Sequence, residues 1–168
     1  MIVQRLRLIV RAFFSRAMRT APARRLVLPV FPPAQLWLLR VSGGRFNITD
    51  LLVPSLVLHH TGARSGRPRE TPLICWPQSD GSYLVAGSNW GKPEHPAWTA
   101  NLRTHPDAKV LVRGQTVAVR AESIAAAERE SVWQLLEAQW PHYREYERTA
   151  GRQVRLFRLV PHQPGRAS

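Results

Sequence analysis

The sequence predicts an α+β chain: about six short strands, mostly antiparallel, with helices inserted between them and a basic amphipathic helix in front. Three observations carry this. Short apolar runs rich in Val, Leu and Ile recur from Pro54 to Val160, bounded by turn residues. Two of the boundaries, Ser79-Asp80-Gly81 and Arg113-Gly114, are hairpin signals, and strands joined by hairpins pair antiparallel. So many short strands favour closure into a barrel, which removes exposed edges.

The elements follow in order. Residues 1–19 place Ile2, Val3, Leu6, Ile9, Val10, Phe13, Phe14 and Ala17 at helical spacing, with Arg5, Arg7, Arg11, Arg16 and Arg19 mainly on the other face. No run approaches the roughly 20 apolar residues that span a bilayer. Residues 20–54 read as a Pro- and Arg-rich connector with one short helical stretch at 34–40. Strands are expected at 56–60, 69–76 and 82–88, with a tight loop at 61–68. Pro96 suits the first turn of a helix that His105-Pro106 ends. Two alternating runs flank Arg113-Gly114. A helix over about 124–139 runs into Pro141, a shorter one covers His142 to Gly151, and residues 154–160 form the last strand. The division is a helical extension at 1–50 and a barrel domain at 51–168.

Bulk properties narrow the function. The 168 residues, 44% hydrophobic with six Trp, suffice for a real core. The single Cys75 rules out an intrachain disulfide or a Cys-based metal site and fits a reducing, cytoplasmic setting. It lies in the apolar run LICW and reads as a buried, inert thiol. His59 and His60 are adjacent, hence on opposite strand faces, and show no metal spacing. Net charge is +13, with 22 Arg against 2 Lys, and residues 1–49 hold nine Arg and no acid. That balance calls for an anionic partner. The first helix either lies on anionic lipid, at the inner face of the cell membrane, or packs on its own domain; a mitochondrial presequence has a similar pattern. A stacking module or recognition helix is not visible, so nucleic acid is not the expected partner.

Two loops carry candidate chemistry. TGARSGRPR (61–69) gathers glycines, hydroxyls and three arginines, the groups that grip phosphate or carboxylate. It lacks the Gly-Lys-Ser/Thr ending of a Walker loop. SNWGKPEHPAWTAN (88–101) follows a strand and opens a helix, and its two Trp suggest a site that holds a flat ring. Gly87 and Gly91 are expected to leave backbone amides free there. Trp98 and Asn101, three apart, share a helix face. The bland reading puts both Trp in the core.

The series TGARSGRPRETPL, VAGSNWGKPEHPAWTANL, HPDAKVLVRGQTVAVRAES and WPHYREYERTAGR resembles, over about residues 55–161, the deazaflavin-dependent nitroreductase and quinone reductase family. The resemblance implies a split β-barrel oxidoreductase that transfers a hydride from reduced coenzyme F420 to a quinone, nitroaromatic or enone. It implies that Ala63, Arg64, Ser65 and Arg69 contact the cofactor's phosphate and glutamate tail, with Glu70, Thr71, Pro72, Leu73 and Ile74 alongside. Ala86, Gly87, Ser88 and Asn89 would line the deazaflavin. Ala97, Trp98, Thr99, Ala100 and Asn101 would close its other side, and Tyr143 would reach in from the C-terminal helix. Trp140, Tyr143 and Tyr146 would border the acceptor, with Ser88 and Tyr143 as the catalytic pair. Ala63, Asn89 and Trp90 depart from the family's frequent Arg, Lys and Gly. A cofactor that carries the hydride on carbon asks the protein for no nucleophile or metal. FMN binding on the same fold is the nearest alternative, and a non-catalytic cofactor- or lipid-binding relative the next. The partner is a small-molecule electron acceptor; oligomeric state is open.

Overall fold

The computed structural model of the chain describes residues 54–162. The N-terminal helix, the connector with its short helix, and the expected boundary at residue 50 lie outside the described residues.

Among the described residues, seven antiparallel strands, one more than expected, form a single curled sheet in the order β2-β1-β5-β6-β7-β4-β3. They are β1 (Ser55–Thr61), β2 (Pro68–Ile74), β3 (Trp76–Pro77), β4 (Tyr83–Ala86), β5 (Asp107–Val112), β6 (Gln115–Ser123) and β7 (Leu156–Pro161). The extra strand has a physical reason. The expected strand 69–76 changes partner at Cys75: Pro68–Ile74 pairs with β1, whereas Trp76–Pro77 pairs with β4. The two edge strands of the sheet are therefore one chain segment with a single residue between them, and that segment brings the edges together into a barrel. Cys75 itself is buried at the join, and its amide donates to the Pro54 carbonyl at 3.0 Å.

Local chemistry explains the other boundaries. The β5–β6 hairpin turns on Arg113 (φ 49°) and Gly114 (φ 77°), the left-handed pair a two-residue turn requires. Helix α1 (Ala97–Thr104) starts after Pro96 and stops before Pro106. The expected 124–139 helix divides into a 3-10 turn, Ala126–Glu128, and α2 (Arg129–Gln139). Helix α3 (Glu145–Ala150) ends on Gly151 in the left-handed conformation.

Two apolar clusters follow from strand alternation. Val85 and Phe157 point into the barrel with Leu56, Leu58, Val110, Val119 and Leu159. Their neighbours Leu84, Ala86 and Leu156 point the other way, against Val132, Trp133 and Leu136 of α2 and Tyr146 of α3. Strand β4 is thus buried on both faces, and the residues just beyond Ala86 emerge between barrel and helices. Among the described residues, no helix is long and apolar enough to cross a membrane.

Candidate active site

Ser88 stands two residues beyond the end of β4, and its Oγ lies 3.3 Å from the Tyr143 hydroxyl, which comes from the segment between α2 and α3. Both side chains are buried. Aromatic rings enclose Tyr143: Trp76 at 5.2 Å, Tyr146 edge-on at 5.6 Å and Trp133 at 6.1 Å between centroids. Burial pushes the phenol well above its ordinary range, outweighing the opposite pull of the Ser88 hydrogen bond. Tyr143 is therefore a neutral hydroxyl, able to donate a hydrogen bond and unsuited to act as a base near neutral pH.

Gly87 and Gly91 do not leave free amides, contrary to expectation. The Gly87 amide donates to the Arg155 carbonyl at 2.8 Å and that of Gly91 to the Ser88 carbonyl at 3.0 Å. Their glycine identity serves close approach instead: a Cβ on Gly87 would sit 2.5 Å from Thr99 Cγ2, and one on Gly91 would crowd Tyr146 and Thr149 of α3. Asn89, Trp90 and Gly91 are all left-handed, with φ of 50°, 56° and 76°. Asn and Gly tolerate this region, and a Trp there is strained. Trp90 is half-buried, edge-on to Tyr146 at 6.5 Å.

The basic loop is organised from within and from α1. The Gly62 amide donates to the Arg67 carbonyl at 2.9 Å, and Gly66, left-handed, donates to the Gly62 carbonyl at 2.8 Å. Asn101 Oδ1 accepts from the Ala63 amide at 2.8 Å, which orients the side chain and turns its amide nitrogen toward His60 Nδ1 at 3.1 Å. His60 Nδ1 is then the acceptor, and Nε2–H donates to Thr71 Oγ1 at 3.0 Å. Burial, then the positive Arg69, lowers the His60 pKa and keeps the ring in this neutral form. Arg64, Ser65, Arg67 and Arg69 remain exposed around the loop. Three guanidiniums, a hydroxyl and a tight glycine turn fit a phosphate with carboxylates beyond it. A neutral buried hydroxyl pair fits the carbonyl edge of a ring or acceptor.

Helix α1 links the two loops, since its entry is the 88–96 segment and its Asn101 holds the basic loop. Its other residues divide. Trp98 packs in the barrel core 5.7 Å from Phe157, and Thr99 is fully buried, accepting from Arg155 Nη1 at 3.1 Å. Ala97 and Ala100 face outward. Thr71, Pro72, Leu73 and Ile74 lie half-buried along β2, while Glu70 is exposed, 3.6 Å from His59. Trp140 and Tyr146 join the aromatic cluster around Tyr143. A cavity of about 670 Å³ borders the basic loop at Thr61, Pro68 and Arg69 and extends to Asp107, Lys109 and His162, away from Ser88. Among the described residues, no group of His, Cys, Asp or Glu could hold a metal.

Sequence reasoning missed Arg152. It follows α3, and its guanidinium reaches back to the carbonyls of the 87–94 segment. A lone Arg after a helix gives no local sign of a partner some sixty residues earlier.

Comparison with known proteins bears on this arrangement. A family model described as F420H(2)-dependent quinone reductase matches residues 34–161. The F420H(2)-dependent quinone reductase of Mycobacterium tuberculosis (strain H37Rv) is 31% identical over 110 residues, covering 64% of this chain and 73% of that protein. A solved F420-H2-dependent reductase (FDR-A) superposes with a TM-score of 0.56 at 30% identity, over 63% of this chain and 93% of that one. A solved domain-swapped dimer superposes with a TM-score of 0.59 at 27% identity, over 75% of this chain and 96% of that one.

Proposed function

The chain belongs to the F420H(2)-dependent quinone reductase family, and from that premise we propose which of its residues serve the transfer of a hydride from reduced coenzyme F420 to a quinone. The observation that carries the assignment is the buried, neutral Ser88–Tyr143 hydroxyl pair at the end of β4, joined through α1 to an exposed arginine loop.

When bound, the reduced deazaflavin supplies a hydride from carbon. The protein's work is to hold donor and acceptor carbons within about 3–3.5 Å and to meet the charge that develops on the acceptor oxygen. Arg64, Ser65 and Arg69 hold the phosphate and tail, with Ala63 and Glu70 to Ile74 beside them. Ala86, Gly87, Ser88 and Asn89 flank the ring. Within α1, Asn101 acts on the cofactor by holding the loop at Ala63; Trp98 and Thr99 support that wall from the core, with Ala97 and Ala100 at its margin. Tyr143 donates its hydroxyl hydrogen toward the acceptor oxygen and Ser88 keeps it oriented. Trp140 and Tyr146 shape the acceptor's apolar surroundings. The aromatic enclosure excludes water, which strengthens that hydrogen bond.

Residues 51–168 form the unit that binds the cofactor, and residues 1–50 bring it to anionic membrane surfaces where lipid-soluble quinones reside. The support is the nine arginines and the absence of any acid in residues 1–49. Nitroaromatics and enones that fit the same pocket are further acceptors, because they too gain negative charge on oxygen.

Titration of the purified chain, followed by quenching of tryptophan fluorescence, tests the site. Coenzyme F420 should bind in preference to FMN, whose tail ends at a phosphate and has no further carboxylates to engage the loop. Arg64→Ala with Arg69→Ala weakens F420 binding by about 2–4 kcal/mol, each charged contact contributing about 1.5–3 with partial overlap. Unchanged affinity in the double variant removes the loop from the site.

A further inference from the structure

Trp90 is held in the left-handed region between Asn89 and Gly91, a strained position for a bulky residue, and Arg152 is placed to hold the loop that carries it. Its Nε donates to the Pro93 carbonyl at 2.8 Å and its Nη1 to His95 Nδ1 at 3.0 Å. Nη2 donates to the carbonyls of Glu94 at 2.9 Å, Lys92 at 3.2 Å and Ser88 at 3.3 Å, and both terminal nitrogens reach the Gly87 carbonyl at 3.4 Å. One cation thus draws together carbonyls from both ends of the 87–95 loop. Asn89 Nδ2 adds a cross-brace to the Glu94 carbonyl at 2.8 Å. The arginine leaves the chain directly after Gly151, which ends α3, and α3 carries Tyr146. The contacts therefore close a circuit. Arg152 ties the end of α3 to the loop, Trp90 on the loop sits on Tyr146, Tyr146 packs on Tyr143, and Tyr143 bonds Ser88 back on the loop.

We propose that Arg152 is a positioning residue for the hydride transfer: by holding the 87–95 loop against α3 it keeps Ser88 within reach of Tyr143 and Trp90 seated at the acceptor side. None of its hydrogen bonds goes to Tyr143, and it acts through the loop. A lysine, with three donors and no planar fork, can replace only part of this, and a glutamine less. This rests on the reading of Ser88 and Tyr143 given above, so the test includes a measurement that needs no turnover.

The full chain is compared with Arg152→Lys, Arg152→Gln, Ser88→Ala and the double variant Arg152→Gln/Ser88→Ala. Hydrogen exchange of the free protein should show amides of residues 88–95 opening about ten-fold faster in Arg152→Gln, with β1, β5 and β6 unchanged, and an intermediate rise in Arg152→Lys. In turnover of reduced F420 with a quinone, kcat should fall about ten-fold in Arg152→Gln and recover in part in Arg152→Lys. The double variant should lose within about two-fold of what Ser88→Ala loses alone, since both act on one hydroxyl pair. Wild-type loop protection in Arg152→Gln, faster exchange spread evenly over the barrel, or losses that multiply in the double variant would each overturn the proposal. Should Arg152→Gln fail to fold, Arg152→Lys is read for the same loop-confined rise, and a wild-type exchange pattern there counts against it. A wild-type chain that turns over no quinone contradicts the proposed function, while the exchange data still decide the role of Arg152.

Discussion

Tyr143 sits at the meeting point of the two hydroxyls and three flanking aromatic rings, and two expectations follow from its burial. With the phenol pKa raised above its ordinary value of about 10, the hydroxyl keeps its proton at every lower pH, so turnover should have no alkaline limb from this group below about pH 10. Replacing it by Phe keeps the ring packing and removes the donor. Turnover should fall about ten-fold, roughly 1.4 kcal/mol, with little change in F420 affinity. Full turnover of Tyr143→Phe with every acceptor would reduce Tyr143 to packing. His60 makes a second residue-scale case. Its pKa is lowered in the fold from 6.5 by burial first and by Arg69 next, so the unfolded chain takes up the proton before the folded one. The stability that the neutral ring contributes is complete above about pH 6.5 and is lost as pH falls through that value toward the folded pKa. Protonation would also set an N–H against the Asn101 amide and free the basic loop. The melting temperature of the wild type should therefore drop more steeply between about pH 7 and 5 than that of His60→Gln. Parallel curves would assign the acid loss elsewhere.

At the scale of elements, α2, α3 and the entry to β7 are tied by one half-buried network. Glu147 accepts from Arg129 at 2.6 Å and from the Val154 amide at 2.7 Å, while Arg129 also donates to the Val154 carbonyl at 3.0 Å. Glu147→Ala strands both donors and should cost about 2–4 kcal/mol in urea unfolding, more than an exposed ion pair contributes. A loss under about 0.5 kcal/mol would show the pair to be solvated in effect. Elements are also where legibility in the sequence divides. The Arg113-Gly114 hairpin and the α1 boundaries were readable because their causes are local: a left-handed pair and two prolines. The break at Cys75 was not, because it arises from which strand each half pairs with, a non-local fact. The approach of Ser88 to Tyr143 is of the same kind: 55 residues separate them, and only the resemblance to a known family joined them. The free amides expected at Gly87 and Gly91 failed because the loop satisfies its own backbone.

For the whole molecule, the charge of +13 would serve two ends under the proposed function: gripping an anionic tail and drawing the chain to anionic lipid. Each Lys or Arg near such a surface contributes about 1 kcal/mol, so several together exceed marginal attachment. The chain should float with anionic but not neutral vesicles at low salt, and a chain lacking residues 1–20 should not float while retaining its fold. Failure of the full chain to float leaves those arginines without a lipid role. Under the proposed function, the Ser88–Tyr143 end and the arginine loop are two ends of one site for hydride transfer. The most direct test is anaerobic oxidation of reduced F420 by a water-soluble quinone, comparing the wild type with Tyr143→Phe and with Arg64→Ala/Arg69→Ala. The wild type should show quinone-dependent oxidation, the first variant a lower kcat with near-normal F420 affinity, and the second a weakened F420 affinity. Wild-type rates and affinities in both variants would contradict the two-ended site.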